Sequence, residues 1–309
     1  MKKIQGTYCA TLTPFNEDFS INKKLLLEHC NNILKNKVDG IGIFGSTGES
    51  NSLSIQQKIE TIQYLIENNF ESNNLIPGTG LNSINDTVYF TKAVAKMKVK
   101  AVLVLPPFYY KNIQSEGLID YYSKLIEEVN DPNLHYLLYH FPKMAGVSID
   151  FNVIEKLLLK YPNNIVGIKD SSGDEENMIK MIKVFSNFAV FSGSDSLAYK
   201  IMRNGGAGAI TAASNISGEL LAYIVNNFDN ASSISKFNDI VNLQEEIRSF
   251  VFSHEPISTL KAFISLRDKN PDWNRILSPL SIIENPSTNT AIIQLLELTK
   301  KIKKLLSDS

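Results

Sequence analysis

The sequence predicts a (β/α)8 barrel with a helical C-terminal extension, and three observations carry that reading. Short β-branched or apolar runs recur at 6–12, 40–44, 74–78, 101–105, 134–140, 165–168, 190–192 and 208–210. Their starts lie 18 to 34 residues apart, the spacing of strand–turn–helix units. The runs are continuously apolar rather than alternating, which suits parallel strands buried on both faces. Eight such units are the number that closes a barrel. A doubly wound open sheet uses the same alternation and is the rival architecture.

Helix-length amphipathic segments fill the intervals. Residues 21–35 bring Leu25, Leu26, His29, Ile33 and Leu34 toward one face. Residues 54–68 open on Ser54 as N-cap, and 86–95 begin on Asp86 as an acidic cap. Beyond the eighth run no convincing strand remains. Residues 235–252 and 287–306 read as helices, the second striping Ile292, Leu295, Leu296, Ile302 and Leu306. Lys300, Lys301, Lys303 and Lys304 there read as a solvated face that complements the helix dipole. The expected division is a catalytic barrel over 1–225 and a helical region over 226–309 packed on it.

Composition narrows the function classes. The chain has 309 residues, 43% hydrophobic and 20% charged, an ordinary globular balance. With 31 basic against 32 acidic residues, its net charge of −1 offers no attraction to nucleic acid or an anionic membrane. No apolar stretch approaches the roughly 20 residues of a membrane helix. Lys2 and Lys3 are not followed by an apolar segment, so no secretory leader is expected. Two cysteines, Cys9 and Cys30, make no disulfide framework and suit a reducing, cytoplasmic setting.

Several chemistries lack their residues. The histidines are His29, His135, His140 and His254, and none sits at ligand spacing from another. His135 and His140 flank one run at odd separation and face opposite ways. The turns Gly45-Ser46-Thr47-Gly48 and Gly205-Gly206-Ala207-Gly208 are followed by no Gly-Lys-Ser/Thr and open no dinucleotide fingerprint. Ser46 is not in a nucleophile elbow.

In a barrel of this kind, reactive residues sit where strands end. The second strand leads into Gly45-Ser46-Thr47-Gly48-Glu49, the fifth ends in Tyr139-His140-Phe141-Pro142, and the sixth ends in Lys169-Asp170-Ser171-Ser172. A lysine continuing a buried apolar strand is costly to desolvate while charged. A neutral amine in such a place is the nucleophile that forms Schiff bases with carbonyl compounds. A lysine paired with Asp170, or one reaching out to solvent, is the alternative. Tyr139 reads either as a core tyrosine or as a proton shuttle. Ser46, Thr47 and the amides of their turn suit a small carboxylate. Amine, phenol and carboxylate cradle together describe a site for a 2-oxo acid.

At these motifs the sequence resembles the dihydrodipicolinate synthase/N-acetylneuraminate lyase family of Schiff-base pyruvate aldolases. The resemblance runs from Gly6-Thr7-Tyr8 to the C-terminal helices. It rests on Gly45-Ser46-Thr47-Gly48-Glu49, Tyr139-x-x-Pro142, Gly167-Ile168-Lys169-Asp170, Phe191-Ser192-Gly193-Ser194-Asp195 and Gly205-Gly206-Ala207-Gly208-Ala209-Ile210. It implies Lys169 as the imine-forming residue, Tyr139 as the proton shuttle, and Ser46 and Thr47 as the pyruvate-carboxylate cradle. It also implies a homotetramer in which Tyr109, or Tyr110 one position on, enters a neighbour's site. Pyruvate and an aldehyde are the implied partners, with no metal and no organic cofactor.

Departures from the family pattern bear on the substrate. The synthase branch has an arginine two residues beyond the proline of Tyr-x-x-Pro, and Met144 stands here beside Lys143. Met cannot replace a bidentate carboxylate fork. The sialic acid lyase branch has a glutamate after the aspartate of its Gly-x-Asp turn, and Ser196 follows Asp195 here. Ser171 is similar to that branch's hydroxyl after the lysine. Gly193, Asp195, Ser196, Ser171 and Ile210 are thus the expected contacts of a hydroxylated substrate, such as a 2-keto-3-deoxy sugar acid. Dihydrodipicolinate synthase and N-acetylneuraminate lyase are the alternatives. A catalytically silent binding or regulatory relative is the non-enzyme alternative, which the joint presence of Lys169, Tyr139 and Ser46-Thr47 disfavours.

Overall fold

The computed structural model describes residues 4–307; residues 1–3, on which the reading against a leader rested, lie outside the described residues. Seven strands form one parallel sheet: β1 (Gly6–Ala10), β2 (Gly40–Gly42), β3 (Val102–Val104), β4 (Tyr136–His140), β5 (Ile165–Asp170), β6 (Ala189–Ser192) and β7 (Gly208–Thr211). Their order is β2-β1-β7-β6-β5-β4-β3.

The run expected at 74–78 forms no regular strand of its own. It lies between β2 and β3, where Ile76 N donates to Ile41 O and Gly78 N to Ile43 O, each at 2.8 Å. On its other side Leu103 N donates to Pro77 O at 2.8 Å. Pro77 has no N–H to give, so the ladder thins there. The bonds on both sides nonetheless close the sheet into a barrel, and the open-sheet rival falls.

Strand residues alternate between two buried layers. Along β4, Tyr136 and Leu138 join the outer layer against the helices, while Leu137 and Tyr139 join the barrel interior with Tyr8, Leu103, Phe191 and Ile210. This is why the runs read as unbroken apolar stretches: both faces are covered. On β5 the same alternation turns Ile168 outward. Lys169, next in line, is the register partner of Tyr139 and shares its face.

The helices alternate with the strands as α1 (Lys23–Lys35), α2 (Ile55–Glu67), α3 (Ile84–Lys96), α4 (Ser115–Val129), the short α5 (Pro142–Ala145), α6 (Phe151–Lys160), α7 (Glu175–Val184), α8 (Asp195–Arg203) and α9 (Ser214–Asn227). Ser54 caps α2 in a full capping box with Gln57. The cap of α3 is Ser83, which accepts from Asp86 N; Asp86 sits in the first turn instead. An acidic residue there still complements the helix dipole, which makes the two positions hard to tell apart from sequence.

Three further helices follow, α10 (Phe237–Phe252), α11 (Pro256–Asp268) and α12 (Thr290–Ser307). They pack on α9 through a second apolar cluster that includes Leu220, Ile247, Phe263, Trp273 and Ile292. α11 was not anticipated: charged and small residues interrupt its apolar stripe. Among the described residues no helix is long and apolar enough to cross a membrane.

Candidate active site

The C-terminal ends of the strands bring together most of the residues singled out above. Lys169 is 6% exposed and Tyr139 5%. They face each other from adjacent strands, the lysine Nζ lying 4.5 Å from the centroid of the Tyr139 ring. A cation over an aromatic face is held by the ring quadrupole. Phe141 stacks against Tyr139 at 5.8 Å and fixes the ring's orientation.

Asp170 does not pair with this lysine. It points to the outer side of β5, where Oδ1 accepts from Ser172 N at 2.8 Å and Oδ2 from Asn177 Nδ2 at 3.0 Å. Nor does Lys169 reach solvent. The structure leaves its amine inside the barrel beside a phenol.

Ser46 enters the same space from the turn after β2, and it lines one cavity with Tyr139, Ser50, Asn51 and Leu105. Thr47, half-buried, follows it. The turn has an unusual frame. Phe44 before it and Glu49 at its end both have φ of 56°, a left-handed conformation that side chains other than glycine seldom adopt. Gly48 is pressed against the segment that follows β1: a Cβ there would sit 2.9 Å from Thr11 O, and Thr13 Oγ1 donates to Gly48 O at 2.8 Å.

Behind the turn lies an ion pair that sequence reasoning did not find. Glu49 accepts from Lys261 Nζ of α11 with one oxygen and from Leu277 N at 2.8 Å with the other. Lys261 also donates to Arg275 O at 2.8 Å and lies 4.2 Å over the ring of Phe15. Burial pushes Lys261 down to about 8 and Glu49 up, each against the pull of its partner. A charge set between Leu260 and Ala262 was the signal available in the sequence.

Ser171 and Gly193 are neighbours at the same rim. A Cβ on Gly193 would fall 2.0 Å from Ser171 Oγ, so only glycine lets the two loops approach. Ser196, half-buried, sits in the first turn of α8, and Ile210 is fully buried in the barrel interior.

Asp195 is placed elsewhere. Its Oδ1 accepts from Thr211 Oγ1 at 2.7 Å and Gln244 Nε2 at 2.8 Å, and only 4% of the residue is exposed. Thr211 pairs with Cys9, whose side chain belongs to the outer layer. The carboxylate therefore lies between the barrel and α10 rather than over the mouth. A buried carboxylate needs donors, and two side chains already supply them. Burial nonetheless pushes its carboxyl upward.

Tyr109 and Tyr110 stand out from the loop after β3, each 73% exposed, in an edge-to-face pair at 5.3 Å. They do not join Lys169 within the chain. Asn82 Oδ1 pins their loop by accepting from Phe108 N at 2.7 Å and Tyr109 N at 2.9 Å. Met144 is 64% exposed on α5.

Comparison with known proteins agrees with this fold. A family model described as the dihydrodipicolinate synthetase family matches residues 3–292. A 4-hydroxy-tetrahydrodipicolinate synthase of Brachyspira hyodysenteriae is 30% identical over 281 residues, 91% of this chain and 94% of that protein. One from Listeria monocytogenes is 38% identical over 223 residues, covering 71% and 74%. Among solved structures, N-acetylneuraminate lyase from Fusobacterium nucleatum superposes with a TM-score of 0.84 at 28% identity, covering 97% of this chain and 99% of that one.

Proposed function

Because this chain belongs to the dihydrodipicolinate synthetase family, we infer that it is a class I aldolase-lyase that makes or breaks a carbon–carbon bond to pyruvate. The observation that carries the reading is the placement of Lys169 Nζ, buried and without an acidic partner among the described residues, over the ring of Tyr139 at the barrel mouth.

The amine of Lys169 adds to the 2-oxo carbon and water leaves, giving an imine. Once protonated, the imine withdraws the electron pair of the neighbouring bond and the pyruvate portion becomes an enamine. Tyr139 gives its phenol proton to the hydroxyl that departs as water when the imine forms. The phenolate so left takes the proton of the aldol hydroxyl as the carbon–carbon bond breaks and the aldehyde leaves; condensation runs these transfers in reverse. Ser46, Thr47 and the amides of their turn hold the carboxylate. The exposed Tyr109–Tyr110 pair supports assembly as a homotetramer in which one tyrosine completes a neighbour's site. Buried, unpaired Cys9 and Cys30 fit a cytoplasmic enzyme.

For the second substrate we favour a hydroxylated 2-oxo acid of the 2-keto-3-deoxy sugar acid type. Met144 offers no donor to a second carboxylate, whereas Ser171 and Ser196 offer hydroxyls at the rim. One observation keeps the synthase reading in play: Lys143 Nζ lies 3.9 Å from where a Cβ of Gly173 would be, close to the segment carrying Ser171.

Incubation with pyruvate and borohydride tests the chemistry. A reduced adduct is expected on the Lys169 peptide by mass spectrometry, and Lys169→Ala is expected to abolish it. An unmodified protein, or an adduct on another lysine, overturns the reading.

A further inference from the structure

The ion pair of Glu49 with Lys261 is more than internal neutralisation. Both side chains are almost fully removed from water, at 0% and 1% exposure, and the partners are 212 positions apart. An apolar pair of similar size fills such a space at least as stably, so burial alone gives no reason for charges there. What charges add is direction. One carboxylate oxygen of Glu49 is fixed by α11 and the other by the backbone of Leu277.

The object so fixed is the turn that carries Ser46 and Thr47. Its two ends, Phe44 and Glu49, hold left-handed backbone conformations that persist only where the surroundings enforce them. Thr13, in the segment that follows β1, clamps the same turn at Gly48. Phe15, from the following segment, lies under the Lys261 ammonium.

We propose that Glu49 and Lys261 are positioning residues: their pair holds turn 45–48 in the conformation that receives the substrate's carboxylate, making α11 and the segment at 275–277 part of the binding apparatus. The inference rests on the pyruvate reading of the site. It goes beyond that reading by placing a determinant of 2-oxo acid affinity outside the barrel.

The test compares wild type with Glu49→Gln/Lys261→Met, which removes both charges and strands neither, and with Glu49→Asp, which keeps the charge but shortens its reach. Half-saturation of borohydride trapping by pyruvate is read beside adduct yield at saturation and thermal stability. The double variant is expected to need about tenfold more pyruvate while trapping at saturation stays near wild type. Glu49→Asp is expected to shift in the same direction. A purely structural pair lowers Tm and leaves half-saturation unchanged, and that result overturns the proposal. If the double variant fails to fold, Glu49→Asp decides by the same criterion. If wild type itself is not trapped on Lys169, the reading of the site falls. If wild type is trapped and the folded variants match its half-saturation, only this inference falls.

Discussion

His29 of α1 and Asn215 of α9 share one buried hydrogen bond, Nε2 to Oδ1 at 2.9 Å. The Asn215 amide donates its Nδ2 hydrogens to Ala10 O and Ala212 O, so Oδ1 is the acceptor and His29 carries its hydrogen on Nε2. Leu12 N donates to the same oxygen at 3.1 Å. His29 also packs edge-on against Trp273 at 4.6 Å. The pair thus joins α1, the end of β1, the start of α9 and the C-terminal helices.

A pH dependence follows. Burial pushes His29 down to about 4, against an ordinary value of 6.5. Between those values the unfolded chain binds a proton that the folded one refuses. Stability from this group is therefore complete above pH 6.5 and is lost as pH falls toward 4. The expected loss from this group between pH 7 and 5 is about 2 kcal/mol. Urea unfolding at both pH values, on wild type and His29→Gln, checks it: the variant is expected to lose less stability on acidification.

Tyr139→Phe keeps the stack on Phe141 and the ring beneath Lys169, and removes only the hydroxyl. Folding is expected to be preserved, trapping on Lys169 to persist, and kcat to fall by ~10²–10⁴-fold. A fall smaller than about tenfold in steady-state assays makes the phenol structural.

The two exposed tyrosines are expected to separate. Asn82 pins the backbone amide of Tyr109, which gives that side chain the better-defined position. Tyr109→Phe is expected to cut kcat by about 10²-fold and Tyr110→Phe to stay within about twofold, with assembly unchanged in light scattering. The reverse pattern transfers the role to Tyr110.

Met144 decides between substrate classes. Weak or no condensation of pyruvate with aspartate semialdehyde is expected, together with measurable cleavage of a 2-keto-3-deoxy sugar acid. Met144→Arg supplies a bidentate donor and is expected to improve the first reaction while impairing the second. Efficient condensation by the wild type, with sugar acids ignored, establishes the synthase reading and points to Lys143 as the carboxylate's partner.

The strands and the helices between them were legible because burial on both faces leaves unbroken apolar runs. Lys169 stood out for the same reason: a charge ending such a run has few structural explanations. Position along a strand, however, does not say where a charge will find its partners. Asp195 lies just past the end of β6, as Lys169 lies at the end of β5, yet Thr211 and Gln244 draw it to the other side of the sheet. Lys261 carries a local sign of burial, a charge between Leu260 and Ala262, but its partner is 212 residues away and no local pattern encodes that pairing. At 74–78 the run was correctly placed between its neighbours, but Pro77 removes a donor from the ladder and leaves a bridging segment where a strand was expected.

That bridging segment also guards the sheet against uncontrolled association between chains. With residues 75–79 bonded to β2 on one side and β3 on the other, no strand among the described residues presents an unpaired row of backbone donors and acceptors. A second chain cannot extend the sheet by adding a strand, the cheapest route to uncontrolled association. Any contact between copies is left to side chains on loops and helices.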